Sequence, residues 1–130
     1  RQPFKKRETI KLSDLDPAFP SHIWVFWSSP TAAILAGLIQ PFLDRKGDDA
    51  QQAQDAEDLY LRAVSELVLD CAESGFDLST PDAVRAAFYS PTIDAELLSG
   101  IVSAYTERII KQREARQKKA SEPSPAISTS

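Results

Sequence analysis

Five consecutive residues, from Ile23 to Trp27, constrain the fold of this chain more than any other segment. All five are aromatic or β-branched, a composition that is typical of a β-strand and unfavourable for a helix. In a strand, Trp24 and Phe26 point to one side, and the three residues that alternate with them point to the other. The chain must therefore cover two apolar faces of this strand or leave one of them exposed.

A second strand is predicted from Glu8 to Leu12, where polar and apolar side chains alternate with the period of a half-buried strand. The residues between the two strands include two prolines and two aspartates, which favour a loop over regular structure. We therefore expect an antiparallel β-hairpin over about residues 8–27. Such a hairpin is marginally stable alone and must pack against the rest of the chain.

Four helices are predicted after the hairpin, over about residues 30–118. The first begins with Ser29 as its N-cap and Pro30 at its first helical position. The second has apolar residues at three- and four-residue steps from Ala56 to Cys71, which predicts a helix closed by Gly75. It is the clearest helical pattern in the chain.

The third helix is predicted to open at Thr80-Pro81, where an N-cap residue precedes a proline. The last helix runs from about Asp94, and its second half is basic and polar. Residues 121–130 are rich in serine and proline and are predicted to be disordered. The predicted fold is therefore α+β and mainly α. An N-terminal β-hairpin packs on about four helices in one small domain, residues 1–120, and a disordered C-terminal tail follows.

Composition points to an ordinary intracellular globular protein. The formal net charge is −4 and 42% of the residues are hydrophobic, which is common globular usage. No window approaches the ~18–20 apolar residues of a membrane span, and no secretory signal pattern is visible. Cys71 is the only cysteine, which excludes an internal disulfide and fits a reducing compartment. We expect a cytoplasmic protein that does not bind a membrane.

The sequence offers no residue set for catalysis, for a cofactor or for a metal ion. His22 is the only histidine, so one chain cannot form a histidine-based metal cluster. Cys71 ends the apolar stripe of the second predicted helix, which favours a buried structural thiol over a nucleophile. The acidic pairs at 48–49 and 57–58 lie in a polar loop and at a helix start, where carboxylates are common. We expect a protein that is not an enzyme.

Charge is distributed unevenly along the chain: basic over residues 1–11, acidic over 44–82 and basic again over 108–119. Such runs are usually solvated helix faces, but they can also guide self-association or a charged partner. The basic C-terminal helix also contains two glutamates, and no aromatic residue follows Tyr105 to stack on bases. This pattern argues against specific nucleic-acid binding.

The aromatic strand is the candidate partner-binding site. A domain of this size has little material to cover both strand faces, and burying an aromatic side chain recovers about 2–3 kcal/mol. We therefore expect Trp24 and Phe26 to form an exposed surface, where substitution weakens partner binding more than folding. The alternative is that the long C-terminal helix covers that face. The predicted partner-binding residues are Trp24, Phe26, Trp27, Ile34 and Leu38.

Several short motifs follow one another in a characteristic order. A basic start and the strand at 8–12 precede the aromatic strand and the Ser-Pro-Thr helix start at 29–31. Residues 76–84, FDLSTPDAV, then form a short turn and a helix start. This series resembles the tail assembly chaperones of long-tailed (siphovirus-type) bacteriophages and prophages, which have a similar "D-x-L" turn and "T-P-E-A-hydrophobic" helix start. The likeness covers about residues 5–115, although Asp-Cys-Ala stands at 70–72 where an Asp-Trp-Asn type of segment is common.

The resemblance implies a protein that binds the long helical tape-measure protein and keeps it soluble during tail assembly. It also implies recruitment of tail-tube subunits, by binding alone and without a cofactor, in the host cell cytoplasm. A homo-oligomer is compatible with this role. Two other hypotheses remain: a small structural virion component or oligomeric adaptor, and a nucleic-acid-binding regulator.

Overall fold

The computed structural model describes residues 5–39 and 50–121, and this part of the chain is α+β and mainly helical, as predicted. A three-stranded antiparallel sheet in the order β1-β2-β3 packs against the longer helices. In chain order the elements are β1 (Arg7–Lys11), α1 (Leu12–Leu15), β2 (Ile23–Trp27), α2 (Ala32–Ile39), α3 (Ala50–Leu67), β3 (Val68–Asp70), a 3₁₀ helix (Ala72–Ser74), α4 (Pro81–Phe88) and α5 (Ala95–Ser121).

The predicted hairpin is confirmed. Strands β1 and β2 pair antiparallel with Thr9 opposite Val25. The ladder continues at both ends, because the Leu12 amide donates to the His22 carbonyl at 2.9 Å and the Ser28 amide to the Lys6 carbonyl at 2.8 Å. Two details differ from the prediction. The first strand covers Arg7–Lys11 and not 8–12, and the connection begins at Leu12 with α1, a single helical turn.

The second predicted helix is shorter than its apolar pattern indicates. Helix α3 ends at Leu67, and the next three residues form β3, which pairs with the second edge of β2. Val68 lies opposite Phe26, with an irregularity in register at this point. The prediction was wrong here because an unpaired strand edge offers Val68–Asp70 backbone partners that a sequence pattern does not reveal.

One predicted helix start is confirmed, and two other predicted boundaries are corrected. Thr80 accepts a hydrogen bond from the Ala83 amide at 3.1 Å, so it is the N-cap of α4. Helix α2 begins at Ala32, so Pro30 precedes the helix and is not its first residue. Its N-cap is Thr31 and not Ser29, since the Thr31 hydroxyl accepts from the amide three residues on, at 3.3 Å. Gly75 has a left-handed φ of 83°, as predicted, but it closes the 3₁₀ helix and not α3.

The core lies between the sheet and helices α3 and α5. Phe26 from β2 stacks on Tyr105 from α5 with ring centroids 4.0 Å apart. The Tyr105 hydroxyl then donates to Glu8 of β1 at 2.9 Å, and Arg108 donates to the same carboxylate at 2.7 Å. These contacts hold α5 against the inner face of the hairpin.

Some predictions fall outside the described residues: most of the polar loop after the first helix, and the disordered tail from residue 122 onward. Ser121, the first residue of that predicted tail, is the last residue of α5. In the described part, none of the helices combines the length and the apolar character that a membrane span needs.

Candidate functional site

The predicted partner-binding residues do not form an exposed surface. Trp24 and Phe26 are 0% exposed, and Ile34 and Leu38 are also buried. Trp27 alone keeps partial exposure, because it lies at the strand end on the opposite side of the sheet. The expectation of an exposed Trp24–Phe26 face is therefore wrong. The alternative, that the C-terminal helix covers this face, is confirmed by the Phe26–Tyr105 stack.

Trp24 is held in the core by packing and by a hydrogen bond. Its ring contacts Phe26 at a centroid distance of 5.8 Å and the edge of Phe76 at 6.0 Å. Its indole Nε1–H donates to the Ser74 hydroxyl oxygen at 2.7 Å, so the polar end of the ring is satisfied inside the protein. This residue stabilises the fold and is not available to a partner.

The opposite face of β2 is the more exposed one. Ile23 is 41% exposed, and Val25 and Trp27 are half-buried. Beside them, on β1, lie the exposed Arg7, Thr9 and Lys11, each opposite one of these three residues. The Lys5 ammonium lies 4.4 Å from the centre of the Trp27 ring and covers part of that ring. One face of the strand does lack full cover, but it is the face of Ile23, Val25 and Trp27 and not the predicted face of Trp24 and Phe26.

An apolar groove of about 440 Å³ lies between α3 and α4, and we call it the α3–α4 groove. The residues that line it are Ala53, Ala56, Glu57, Tyr60, Leu61, Phe88 and Tyr89. The two alanines are small enough to let another backbone approach closely, and the aromatic rings form one wall. Tyr60 and Phe88 meet edge to face, 5.9 Å apart, beneath it.

Charged groups tie the two helices together at the rim of the α3–α4 groove. Arg85 of α4 forms an ion pair with Glu57 of α3 and a second one with Asp58 at 3.1 Å. The Tyr89 hydroxyl donates to the other oxygen of Glu57 at 3.3 Å. These pairs are partly exposed and therefore contribute little to stability, but they join α3 to α4 at the rim of the groove.

Tyr89 is the residue that sequence reasoning missed. It is 70% exposed at the C-cap of α4, next to the half-buried Phe88. Two adjacent aromatic residues at a helix end cannot both face the core, because neighbouring helical positions point about 100° apart. That adjacency in the sequence was the available signal.

One histidine–hydroxyl pair has the spacing of a nucleophile and its base. His22 Nδ1 lies 3.0 Å from the Ser74 hydroxyl oxygen, which also accepts from Trp24. In the described residues no carboxylate contacts the second nitrogen of His22 to orient the ring, as a catalytic triad requires. The pair ties the start of β2 to the 3₁₀ helix. Among the same residues, no cluster of His, Cys, Asp or Glu could hold a metal ion.

Cys71 is a buried structural thiol, as predicted. Its sulfur lies 3.4 Å from the Phe76 carbonyl oxygen, and the side chain is 5% exposed. Burial, together with the nearby charges of Asp77 and Asp70, raises the pKa of the thiol from its usual value near 9.0 to about 11. The thiolate that a nucleophile needs is therefore scarce at neutral pH.

This pKa shift leads to an expected pH dependence. Between pH 9 and pH 11 the unfolded chain releases the Cys71 proton while the native chain keeps it. The contribution of this group to stability is therefore complete below about pH 9 and is lost as the pH rises toward 11. We expect the urea midpoint to fall over this range, and to fall less steeply in Cys71→Ala. If the urea midpoint falls equally steeply with pH in wild type and in Cys71→Ala, the pH dependence does not come from Cys71.

Comparison with known proteins adds no relative. No protein-family model matches the chain, and no significant match is found among curated proteins or solved structures.

Proposed function

We propose that this protein is an assembly chaperone for the tails of long-tailed bacteriophages, acting by binding and not by catalysis. In this role it holds an apolar helical segment of the tape-measure protein, keeps it soluble in the host cytoplasm and helps recruit tail-tube subunits. The sequence motifs at 8–12, 29–31 and 76–84 support the family resemblance. The α3–α4 groove supports a binding role.

The observation that carries the proposal is an apolar groove with an exposed aromatic at its mouth. Tyr89 is 70% exposed and lines the groove together with Ala53 and Ala56, so its ring is available to a partner. Aromatic side chains beside apolar pockets are the usual anchors of protein interfaces. A helical client would place its own apolar side chains between the two alanines and the aromatic wall.

The charge on α3 favours one kind of client helix. This helix contains four carboxylates and a single guanidinium, that of Arg62. Glu57 lines the groove and Asp58 follows it, so two carboxylates face the single guanidinium of Arg85 at the rim, and the excess negative charge would attract cations beside the apolar face of the client. We therefore expect the bound segment to be amphipathic, with Lys or Arg flanking its apolar stripe.

Co-expression tests the proposal. The full chain is produced with the product of the neighbouring gene that encodes a long helical protein, and the soluble complex is isolated by affinity purification. We expect the client to be soluble only in the presence of this chain, and the chain to be absent from purified particles. If wild-type protein forms no complex, the chaperone role is wrong; if the chain stays in mature particles, it is a structural component.

Two matched variants locate the binding site. Ala53→Glu places a charge in the α3–α4 groove, whereas Ala86→Glu makes the same change at an exposed position of α4 that does not line the groove. We expect the first to weaken client binding by about tenfold or more, equal to about 1.4 kcal/mol, and the second to leave it unchanged. Both should unfold at the wild-type urea concentration. Equal binding by the two variants would exclude the groove as the site.

A further inference from the structure

Strand β1 is an edge of the sheet, and the hydrogen bonds of its ladder show which of its backbone groups point away from β2. In this ladder the Leu12 amide bonds to the His22 carbonyl and the Lys6 carbonyl accepts from the Ser28 amide. Because hydrogen-bonded pairs alternate along an antiparallel ladder, the even-numbered residues of β1 direct their backbone groups toward β2. The amides and carbonyls of Arg7, Thr9 and Lys11 therefore point away from the sheet.

This edge is accessible in the described part of the chain. The side chains of Arg7, Thr9 and Lys11 are exposed, and β1 has β2 as its only neighbour in the sheet order. Edge strands with outward-pointing backbone groups are templates for the addition of another strand. The three outward positions offer three donors and two acceptors to such a strand, because the carbonyl of Lys11, the N-cap of α1, accepts the first bond of that helix.

Charge determines which strand can be added. A second copy paired antiparallel about Thr9 would place Arg7 opposite Lys11, and parallel pairing in register would place each cation opposite itself. Like charges directly opposite each other destabilise a strand pair. The exposed Lys6 adds a further positive charge at the start of the edge. The edge therefore disfavours pairing with itself and favours a strand that carries carboxylates.

We propose that the β1 edge binds an extended acidic segment of another protein by strand addition. In the antiparallel arrangement, acidic residues lie opposite Arg7 and Lys11, a β-branched residue lies opposite Thr9, and an apolar residue lies next to Ile10. Cross-strand partners of this kind have Cβ atoms about 4.5–5.5 Å apart, which is close enough for ion pairs. The site uses none of the residues of the α3–α4 groove, so it stands independently of the chaperone role.

The test is hydrogen exchange in the full chain, followed by NMR, with a capped synthetic peptide of sequence Glu-Val-Thr-Val-Glu. We expect exchange at the amides of Arg7, Thr9 and Lys11 to slow by about tenfold or more when the peptide is bound, and exchange at Glu8 and Ile10 to be unchanged. This alternation is the signature of an added strand. No binding, or protection that does not alternate, would overturn the proposal.

Variants at the centre and ends of the edge complete the test. Thr9→Pro removes the central outward amide without breaking a bond to β2, and Thr9→Val keeps that amide. We expect peptide binding to fall about tenfold or more for proline and to persist for valine. If the proline variant fails to fold, the double variant Arg7→Glu, Lys11→Glu is used in its place. We expect this double variant not to bind the Glu-containing peptide, and to bind a peptide in which Lys replaces both Glu residues. Wild-type affinity in either disrupted variant would refute strand addition.

Discussion

Replacing Trp24 by alanine is expected to lower the free energy of unfolding by about 3–5 kcal/mol. The ring is 0% exposed and contacts Phe26 and Phe76, and its indole N–H is bonded to Ser74. The substitution removes these contacts and leaves a cavity at the centre of the core. The total free energy of unfolding of a small domain is about 5–15 kcal/mol, so this loss should be visible as a large shift in the urea unfolding midpoint.

The neighbouring residue in the same strand is the matched control. Ile23 is 41% exposed on the other face of the sheet, so Ile23→Ala should change the stability by about 1 kcal/mol or less. The sequence alone led to the opposite expectation for Trp24, namely a loss of binding with little loss of stability. Equal unfolding midpoints for wild type and Trp24→Ala would show that the indole is not part of the core.

Gly37→Leu is expected to lower the free energy of unfolding by about 3 kcal/mol. Helices α2 and α3 approach so closely here that a Cβ at Gly37 would lie 3.0 Å from the Leu59 carbonyl oxygen and 3.1 Å from the Ala63 Cβ. A carbonyl within a helix cannot move without disturbing that helix, so a leucine side chain must push the two helices apart. Thermal or urea unfolding monitored by circular dichroism measures the effect.

The adjacent position supplies the control for Gly37. Ala36 is exposed on the same helix, and Ala36→Leu should leave the stability within about 0.5 kcal/mol of wild type. A similar loss at both positions would indicate that leucine disturbs α2 itself. A stable Gly37→Leu protein would mean that α2 and α3 are not packed as closely as the structure places them.

Local sequence signals were sufficient to predict most elements of this fold. The aromatic strand was predicted with its observed bounds, because five consecutive residues of this type exclude most alternatives. The N-cap of α4 was also predicted, at Thr80, and the start of α5 at about Asp94; each of these side chains bonds to an amide only three residues ahead. Interactions between near neighbours depend little on the rest of the molecule.

Strand β3 could not be predicted in this way. Val68–Asp70 continues the apolar spacing of α3, and nothing near it in the sequence interrupts a helix. Its strand conformation depends on pairing with β2, more than forty residues earlier in the chain. The α3–α4 groove was missed for a related reason, because it exists only where the end of α4 meets α3.

The amino-acid sequence alone determined that β2 is a strand with two apolar faces and that the domain would not cover both equally. Only the tertiary structure decided which face is covered. Tyr105 stacks on Phe26, and Ser74 accepts from Trp24, so residues distant in sequence bury that side and leave Ile23 exposed on the other. Alternation along a strand defines two faces, but the packing of helices from elsewhere in the chain selects between them.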